Sequence, residues 1–242
     1  MPIGKTREQA DFCNHKVIHH NRLPPRSYFL PKTSLLLNGT WNFHYASTPL
    51  EAPDPKEGTS FDDIAPESAA LDTPSESKSS HDTSPVPNAG RNQSTFRWTT
   101  IDVPGHWQLQ GHGRPHYTNV SYPFPVCPPQ VPTENPTGTY RRLFHVPLDW
   151  DNLAQLRLRL DGVDSAFHVW VNGKSVGYSQ GSRNPAEFDI TAVVNRAGTN
   201  ELFVRVYQWC DGSYIEDQDQ WWLSGTFQEF CDYPCEHDPD TD

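Results

Sequence analysis

Apolar and polar residues alternate along several short runs of this chain, with the period of an extended backbone. Leu156-Arg-Leu-Arg-Leu160 changes side at every residue, which predicts a strand with one buried and one solvated face. Glu201-Leu-Phe-Val-Arg-Val-Tyr207 repeats the pattern. Ala166-Phe-His-Val-Trp-Val171 and Lys174-Ser-Val-Gly-Tyr-Ser179 flank Asn172-Gly173, a dipeptide suited to the positive φ angles of a two-residue type I′ turn, so together they predict a hairpin. Trp41-Asn-Phe-His-Tyr45, Trp98-Thr-Thr-Ile-Asp-Val103 and the stretch from Tyr140 to Val146 are further candidate strands. No stretch carries a helical period. Short strands at this spacing predict an all-β fold, an antiparallel jelly roll or β-sandwich. His168, inside an apolar strand, is expected to be a hydrogen-bonded residue of that sandwich.

Three segments interrupt the pattern. Residues 49–95 are rich in Pro, Ser, Thr, Asp and Glu and hold few large apolar residues. Such a segment buries too little surface to offset its ordering entropy, so it is expected to be a long disordered insert within the domain. Tyr122-Pro-Phe-Pro-Val-Cys-Pro-Pro-Gln-Val-Pro132 cannot form a central strand, because proline lacks the ladder N–H, and should run extended over the surface. Residues 1–30 show no period and are expected to form an arm laid over the sandwich or over neighbouring domains. The expected organisation is therefore an arm (1–30), a jelly-roll domain (31–230) with its insert (49–95), and an acidic tail (231–242).

Charge changes this picture little. The 242-residue chain has a formal net charge of −11. Residues 51–90, with nine Asp/Glu and two Lys, and residues 228–242, with six Asp/Glu and no Lys or Arg, account for all of it. That balance argues against nucleic acid or an anionic membrane surface as a partner. No apolar run reaches the length of a membrane span, and the N-terminus shows no secretory h-region. Five scattered cysteines suit reduced thiols better than a disulfide framework, so a cytoplasmic location is expected.

The chemistry is concentrated in Tyr207-Gln-Trp-Cys-Asp-Gly-Ser-Tyr-Ile-Glu-Asp-Gln-Asp-Gln-Trp-Trp-Leu-Ser-Gly225, where four carboxylates alternate with five aromatic residues. Carboxylates accept hydrogen bonds from sugar hydroxyls and bind hard cations. Aromatic faces stack on the C–H faces of sugars. Composition alone leaves a polar loop over packed aromatics equally open. The wording of the run closely resembles the first domain of family-2 glycoside hydrolases of the large β-galactosidase type. Tyr117-Thr-Asn-Val-Ser-Tyr-Pro-Phe-Pro125, Val131-Pro-Thr-Glu-Asn-Pro-Thr-Gly138, Asp161-Gly-Val-Asp-Ser-Ala-Phe-His-Val-Trp-Val-Asn-Gly173 and Gly177-Tyr-Ser-Gln-Gly-Ser-Arg-Asn-Pro-Ala-Glu-Phe-Asp189 extend the resemblance, as do Asn21-Arg22 and Leu37-Asn-Gly-Thr-Trp41. It covers about residues 10–50 and 97–227, and it implies the same sandwich.

The resemblance implies two sets of site residues. Asn119, Val120 and Asp219 match residues that reach from this domain into the active site. Asn119 and Asp219 would bind sugar hydroxyls, Val120 would line the pocket, and Asp219 would also ligate Na+. Asp11, Asn14, Val17, Gln180 and Asp211 match a structural Mg2+ site, with Val17 contributing its backbone carbonyl. Without the resemblance, Asn119 in a turn reads as a local backbone cap, and the five arm-site residues as incidental polar positions.

The resemblance also implies a retaining hydrolase of terminal β-D-galactosides such as lactose, in a homo-oligomeric parent enzyme. Its two catalytic glutamates belong to a later (β/α)8 barrel, so residues 1–242 alone are expected to be inactive. After Gly225 the text departs from the family pattern and runs through Thr226-Phe-Gln-Glu-Phe-Cys-Asp-Tyr-Pro-Cys235 into an acidic end, which reads as a truncated or mis-spliced product. The last eight residues are not expected to form a core strand. A free-standing carbohydrate-binding module, and a non-catalytic subunit joined to a separately encoded barrel, are the alternatives.

Overall fold

The hairpin forms where the sequence places it. Asn172 and Gly173 adopt φ of 51° and 72°, both in the left-handed region that a type I′ turn requires, and Val171 lies opposite Lys174 across the turn. The structure, a computed structural model, describes residues 11–26, 33–55, 97–119, 121–216, 219–226 and the backbone of 230–235. In chain order its strands are β1 (His19–His20), β2 (Leu35–Leu36), β3 (Gly39–Ala46), β4 (Thr99–Val103), β5 (Gly105–His106), β6 (His116–Tyr117), β7 (Thr137–His145), β8 (Gln155–Leu160), β9 (Val163–Asp164), β10 (Ala166–Val171), β11 (Lys174–Gln180), β12 (Ala186–Asp189), β13 (Thr199–Tyr207), β14 (Trp221–Trp222), β15 (Gly225–Thr226) and β16 (Phe230–Cys235). Two single-turn 3-10 segments, Trp107–Gln110 and Asp211–Tyr214, escape a sequence reading because one turn leaves no period.

Seven strands form a large antiparallel sheet in the order β1-β11-β10-β13-β7-β3-β4, and four form a smaller one, β12-β8-β16-β2. The two pack as a sandwich. Trp41, Phe43, Tyr140, Val169 and Val204 from the large sheet join Leu156, Leu158, Leu160 and Phe188 from the small one in a single apolar cluster. Two minor ladders, β14-β6 and β5-β15-β9, lie beside them. The fold is thus all-β and antiparallel, as the alternating runs predict. Among the described residues, no helix is long and apolar enough to cross a membrane.

β3 and β4 pair with each other, Trp41 opposite Ile101, so the segment between them joins two neighbouring strands of one sheet. Of the predicted insert, residues 49–55 lie on the fold, where the Pro53 carbonyl accepts a hydrogen bond from buried Arg205. The rest of the insert lies outside the described residues.

Two sequence readings need correction. Arg159 does not point to water. It is 1% exposed, with Nε on Asp161 at 2.5 Å and Nη1 on Glu187 at 2.8 Å. The reason is the arm, whose Arg26 reaches Glu187 at 3.0 Å and whose Leu23 donates its N–H to the Glu187 carbonyl. A segment that crosses a sheet edge turns an alternating strand into one buried on both sides. The second correction concerns the boundary drawn at residue 231. β16 runs to Cys235 and pairs with β8 from Phe230 opposite Leu160 to Cys235 opposite Gln155. On its other side β2 reaches only Cys231 and Asp232, so Pro234 sits past the end of that ladder, where its missing N–H leaves no gap. Residues 236–242 lie outside the described residues.

Candidate functional site

The two sets of predicted site residues occupy two separate places. The first is the β6–β14 ladder, where Tyr117 lies opposite Trp221 and His116 opposite Trp222. Asn119 follows β6 by two residues and Asp219 precedes β14 by two, so both predicted residues lie just beyond the same end of this ladder. Trp222 anchors it from below. Its indole N–H donates to Thr118 Oγ1 at 2.8 Å, and its ring packs 5.2 Å from Trp209, which in turn meets Phe124 at 5.1 Å. Above this aromatic floor Asn119 and Asp219 are exposed. The Tyr117 hydroxyl donates to the Asp219 carboxylate, a bond that also raises the pKa of the phenol. The rings of Tyr117 and Trp221 stand 5.5 Å apart and are 47% and 56% exposed. This edge thus offers a carboxylate, an amide and two open aromatic faces on one side of the molecule. Val120 lies outside the described residues.

The second place is where the arm meets the large sheet. Two consecutive turns, Asn14 N–H to the Asp11 carbonyl at 3.1 Å and Val17 N–H to the Asn14 carbonyl at 2.7 Å, coil residues 11–17. The coil is docked by Asp211 N–H on the Phe12 carbonyl at 2.8 Å and by Gln180 N–H on the Ile18 carbonyl at 3.3 Å. β1 then pairs with the end of β11, and Phe12 packs among Ala166, Tyr178, Tyr207 and Cys210. All five predicted arm-site residues are therefore gathered by backbone contacts. Their side chains are not all turned one way. Asp11 Oδ2 takes His20 Nε2 at 3.0 Å and His168 Nε2 at 3.3 Å. Burial acts to raise the Asp11 carboxyl, but the hydrogen bonds from His168 and His20 outweigh it and lower its pKa. Gln180 Oε1 accepts the Tyr178 hydroxyl at 2.7 Å.

Asp211 is different. Its Oδ1 is buried with no donor in hydrogen-bonding geometry, and burial raises its carboxyl pKa against the lowering by the Asp211 N–H, the Gln180 side chain and the Gly212 N–H. A buried carboxylate oxygen without a donor fits a hard cation, and the set of two carboxylates, two side-chain amides and one carbonyl supplies only the oxygens Mg2+ accepts. Among the described residues no three His, Cys, Asp or Glu side chains converge as a metal cluster, and this set contains only two such residues.

His168 is hydrogen-bonded as expected, its second ring nitrogen 3.0 Å from the Tyr207 hydroxyl. The sequence reading missed the roles of Tyr117 and of Asp164, Ser182 and Glu216. Tyr117 is visible in the motif, but only the ladder shows that it holds Asp219. The other three come from β9, the loop after β11 and the chain after the Asp211–Tyr214 turn, and nothing in their local sequence links them.

Comparison with known proteins places this geometry. The sugar binding domain of glycosyl hydrolases family 2 matches residues 35–234. A β-galactosidase of Kluyveromyces lactis is 41% identical over 220 residues, covering 89% of this chain and 18% of the relative. β-Galactosidase 2 of Enterobacter cloacae is 43% identical over 254 residues, covering 100% of this chain and 21% of the relative. The chain spans about a fifth of the length of these relatives. Among solved structures, Bacteroides uniformis β-glucuronidase 2, covalently bound to cyclophellitol-6-carboxylate aziridine, superposes with a TM-score of 0.51. It is 19% identical, and the match covers 83% of this chain and 18% of that one. That likeness concerns the fold.

Proposed function

This chain belongs to family 2 of the glycosyl hydrolases as a sugar-binding domain, and on that premise we propose that it is the domain of a β-galactosidase that binds and orients a terminal β-D-galactoside such as lactose. The observation that carries this reading is the β6–β14 ladder, which leaves Asn119 and Asp219 exposed beyond the same end, with the Tyr117 hydroxyl donating to Asp219. Asp219 accepts hydrogen bonds from sugar hydroxyls and ligates Na+, Asn119 both donates and accepts, and Val120 lines the pocket. The relatives named β-galactosidase support the substrate class. Cleavage belongs to a barrel supplied by further domains or by a separate subunit. The role of residues 1–242 is to hold the sugar while a pair of carboxyl groups elsewhere does the chemistry.

Such an edge is one wall of a pocket, whereas concave sites bury most of a ligand. Two or three exposed hydrogen bonds, at about 0.5–1.5 kcal/mol each, barely offset the roughly 4 kcal/mol or more of rigid-body freedom lost on binding. Purified 1–242 should therefore show no turnover of a chromogenic galactoside and only weak lactose binding in an NMR titration. Supplying the missing domains should restore both, and Asp219→Asn in that assembly should weaken binding. Sub-millimolar lactose binding by 1–242 alone would sink this reading in favour of a free-standing carbohydrate-binding module.

In this reading Mg2+ at Asp11, Asn14, Val17, Gln180 and Asp211 ties the arm to the sheet, neutralising the stranded Asp211 oxygen. A ligand that binds only the folded chain at a hundred times its Kd adds about 2.7 kcal/mol of stability. The melting temperature should thus rise by several degrees with millimolar Mg2+, and Asp211→Ala should abolish the rise. A melting temperature indifferent to Mg2+ would remove the five-residue assignment.

A further inference from the structure

Strand β9, the loop after β11 and the chain after the Asp211–Tyr214 turn meet at Ser182. Its Oγ lies 2.8 Å from Asp164 Oδ1 and 2.5 Å from Glu216 Oε2, and its N–H donates to Glu216 Oε1 at 3.0 Å. Asp164 Oδ2 accepts from Arg183 Nη2 at 2.9 Å. A hydroxyl carries one hydrogen, and an ionised carboxylate carries none. Two contacts of hydrogen-bond length around one hydroxyl, both to carboxyl oxygens, therefore need two hydrogens. With both acids ionised, one of the contacts would set oxygen lone pairs against each other at 2.5–2.8 Å.

We propose that Asp164, Ser182 and Glu216 form a proton-bridged chain in which the two carboxyl groups share one proton, and that this chain makes Glu216 a positioning residue for Asp219. Arg183 decides where the proton rests. Its charge sits on Asp164, so Asp164 is the carboxylate and Glu216 the acid. Glu216 Oε2–H donates to Ser182 Oγ, Ser182 Oγ–H donates to Asp164 Oδ1, and every donor in the chain then has an acceptor. Burial raises the pKa of both carboxyls.

The groups facing the chain leave that assignment intact. Arg183 pulls both acids down but lies on the Asp164 side. His106 faces Asp164, and burial holds it below the usual histidine range. The Cys210 thiol is pushed up to about 12 by burial and stays neutral. Asp211, five residues before Glu216, is itself raised by burial. None of these supplies a second cation on the Glu216 side. Glu216 stands three residues before Asp219, and its carboxyl fixes the end of the Asp211–Tyr214 turn to the loop after β11. The importance of that placement rests on the reading of Asp219 as a sugar contact, whereas the shared proton does not.

The test is a carbon-detected NMR titration of side-chain carboxyls in the full chain, with Glu216→Gln and Asp164→Asn used to assign the signals. Glu216 should still carry its proton well above about pH 4, where free carboxyls lose theirs. The Asp219 and Tyr117 signals should move along the same titration. A raised folded pKa contributes stability that is complete below the unfolded pKa and lost as pH rises through the folded one. Glutamine donates to Ser182 Oγ and accepts from Ser182 N–H at every pH. Glu216→Gln should therefore gain melting temperature relative to the wild type as pH rises, and should stay above Glu216→Ala at every pH because it alone keeps the hydrogen bonds to Ser182. Ordinary carboxylate titration of both acids would overturn the shared proton. A raised Glu216 titration that Asp219 and Tyr117 ignore would overturn the positioning role. Neither result depends on whether a galactoside binds, so failure of the sugar reading is recognised separately.

Discussion

Trp107→Ala should remove about 3–5 kcal/mol of stability, the usual cost of emptying a fully buried tryptophan site. In a chain of this length that lowers the melting temperature by roughly 10 °C. Trp107 is 0% exposed and packs between Phe43 and Tyr45, each ring 6.2 Å away. It lies so close against β7 that a Cβ on Gly138 would sit 2.5 Å from its ring, so the backbone there is shaped to this one side chain. The residue also carries a link to the candidate site. Trp107 N–H donates to the Ser224 carbonyl at 3.1 Å, and Gln108 Oε1 accepts Ser224 N–H at 2.9 Å, which ties the turn to the chain just after β14. Among the described residues the indole N–H meets no acceptor. Trp107→Phe, which discards that N–H and keeps a ring, should recover much of the loss. Urea unfolding of the three proteins gives the measurement. A loss below about 1 kcal/mol for alanine would mean that the cavity collapses, contrary to the packing described.

Arg159→Met should cost about as much, for an electrostatic reason. The guanidinium is buried between Asp161 and Glu187, which are 4% and 5% exposed. Breaking a buried ion pair from one side typically costs 3–5 kcal/mol, because the other charge is left in a poorly solvating place. Methionine keeps most of the volume, so packing alone predicts a small effect and the two causes separate. Glu187 retains Arg26 at 3.0 Å and Arg157 at 3.6 Å, so Asp161 bears most of the loss. Urea unfolding of wild type and variant gives the difference. A loss below about 1 kcal/mol would mean that the arginine fills space and little else.

What could be read from the residues follows from the range of the interactions involved. The hairpin at Asn172-Gly173 was legible because φ preference is local. The strands on either side of the 49–95 insert were legible because alternation is local too, and β3 and β4 do pair. Arg159 was misread because its neighbours Arg26 and Glu187 are distant in sequence, and alternation cannot register an arm that arrives from elsewhere. β16 was missed because Phe230–Cys235 has little strand character of its own. Its place is set by the open edge of β8, whose backbone groups pair with whatever chain fills them. At the candidate site the resemblance gave the residue types, while the ladder register and the Tyr117–Asp219 bond required coordinates. The cluster at Ser182 was invisible for the same reason as Arg159, since its three members reach one point only after the sandwich has formed.

The arm has a kinetic meaning. Asn21 donates to the Val176 carbonyl 155 residues downstream, and Arg26 reaches Glu187 across 161. Both partners lie on edges, one of the large sheet and one of the small sheet, that exist only when β11 and β12 are in place. Contacts this distant must wait for the closure of a very long loop. During synthesis the arm emerges before either of these edges and can be seated only after both. For most of the folding time it is a free tether, and its docking marks the sandwich as finished.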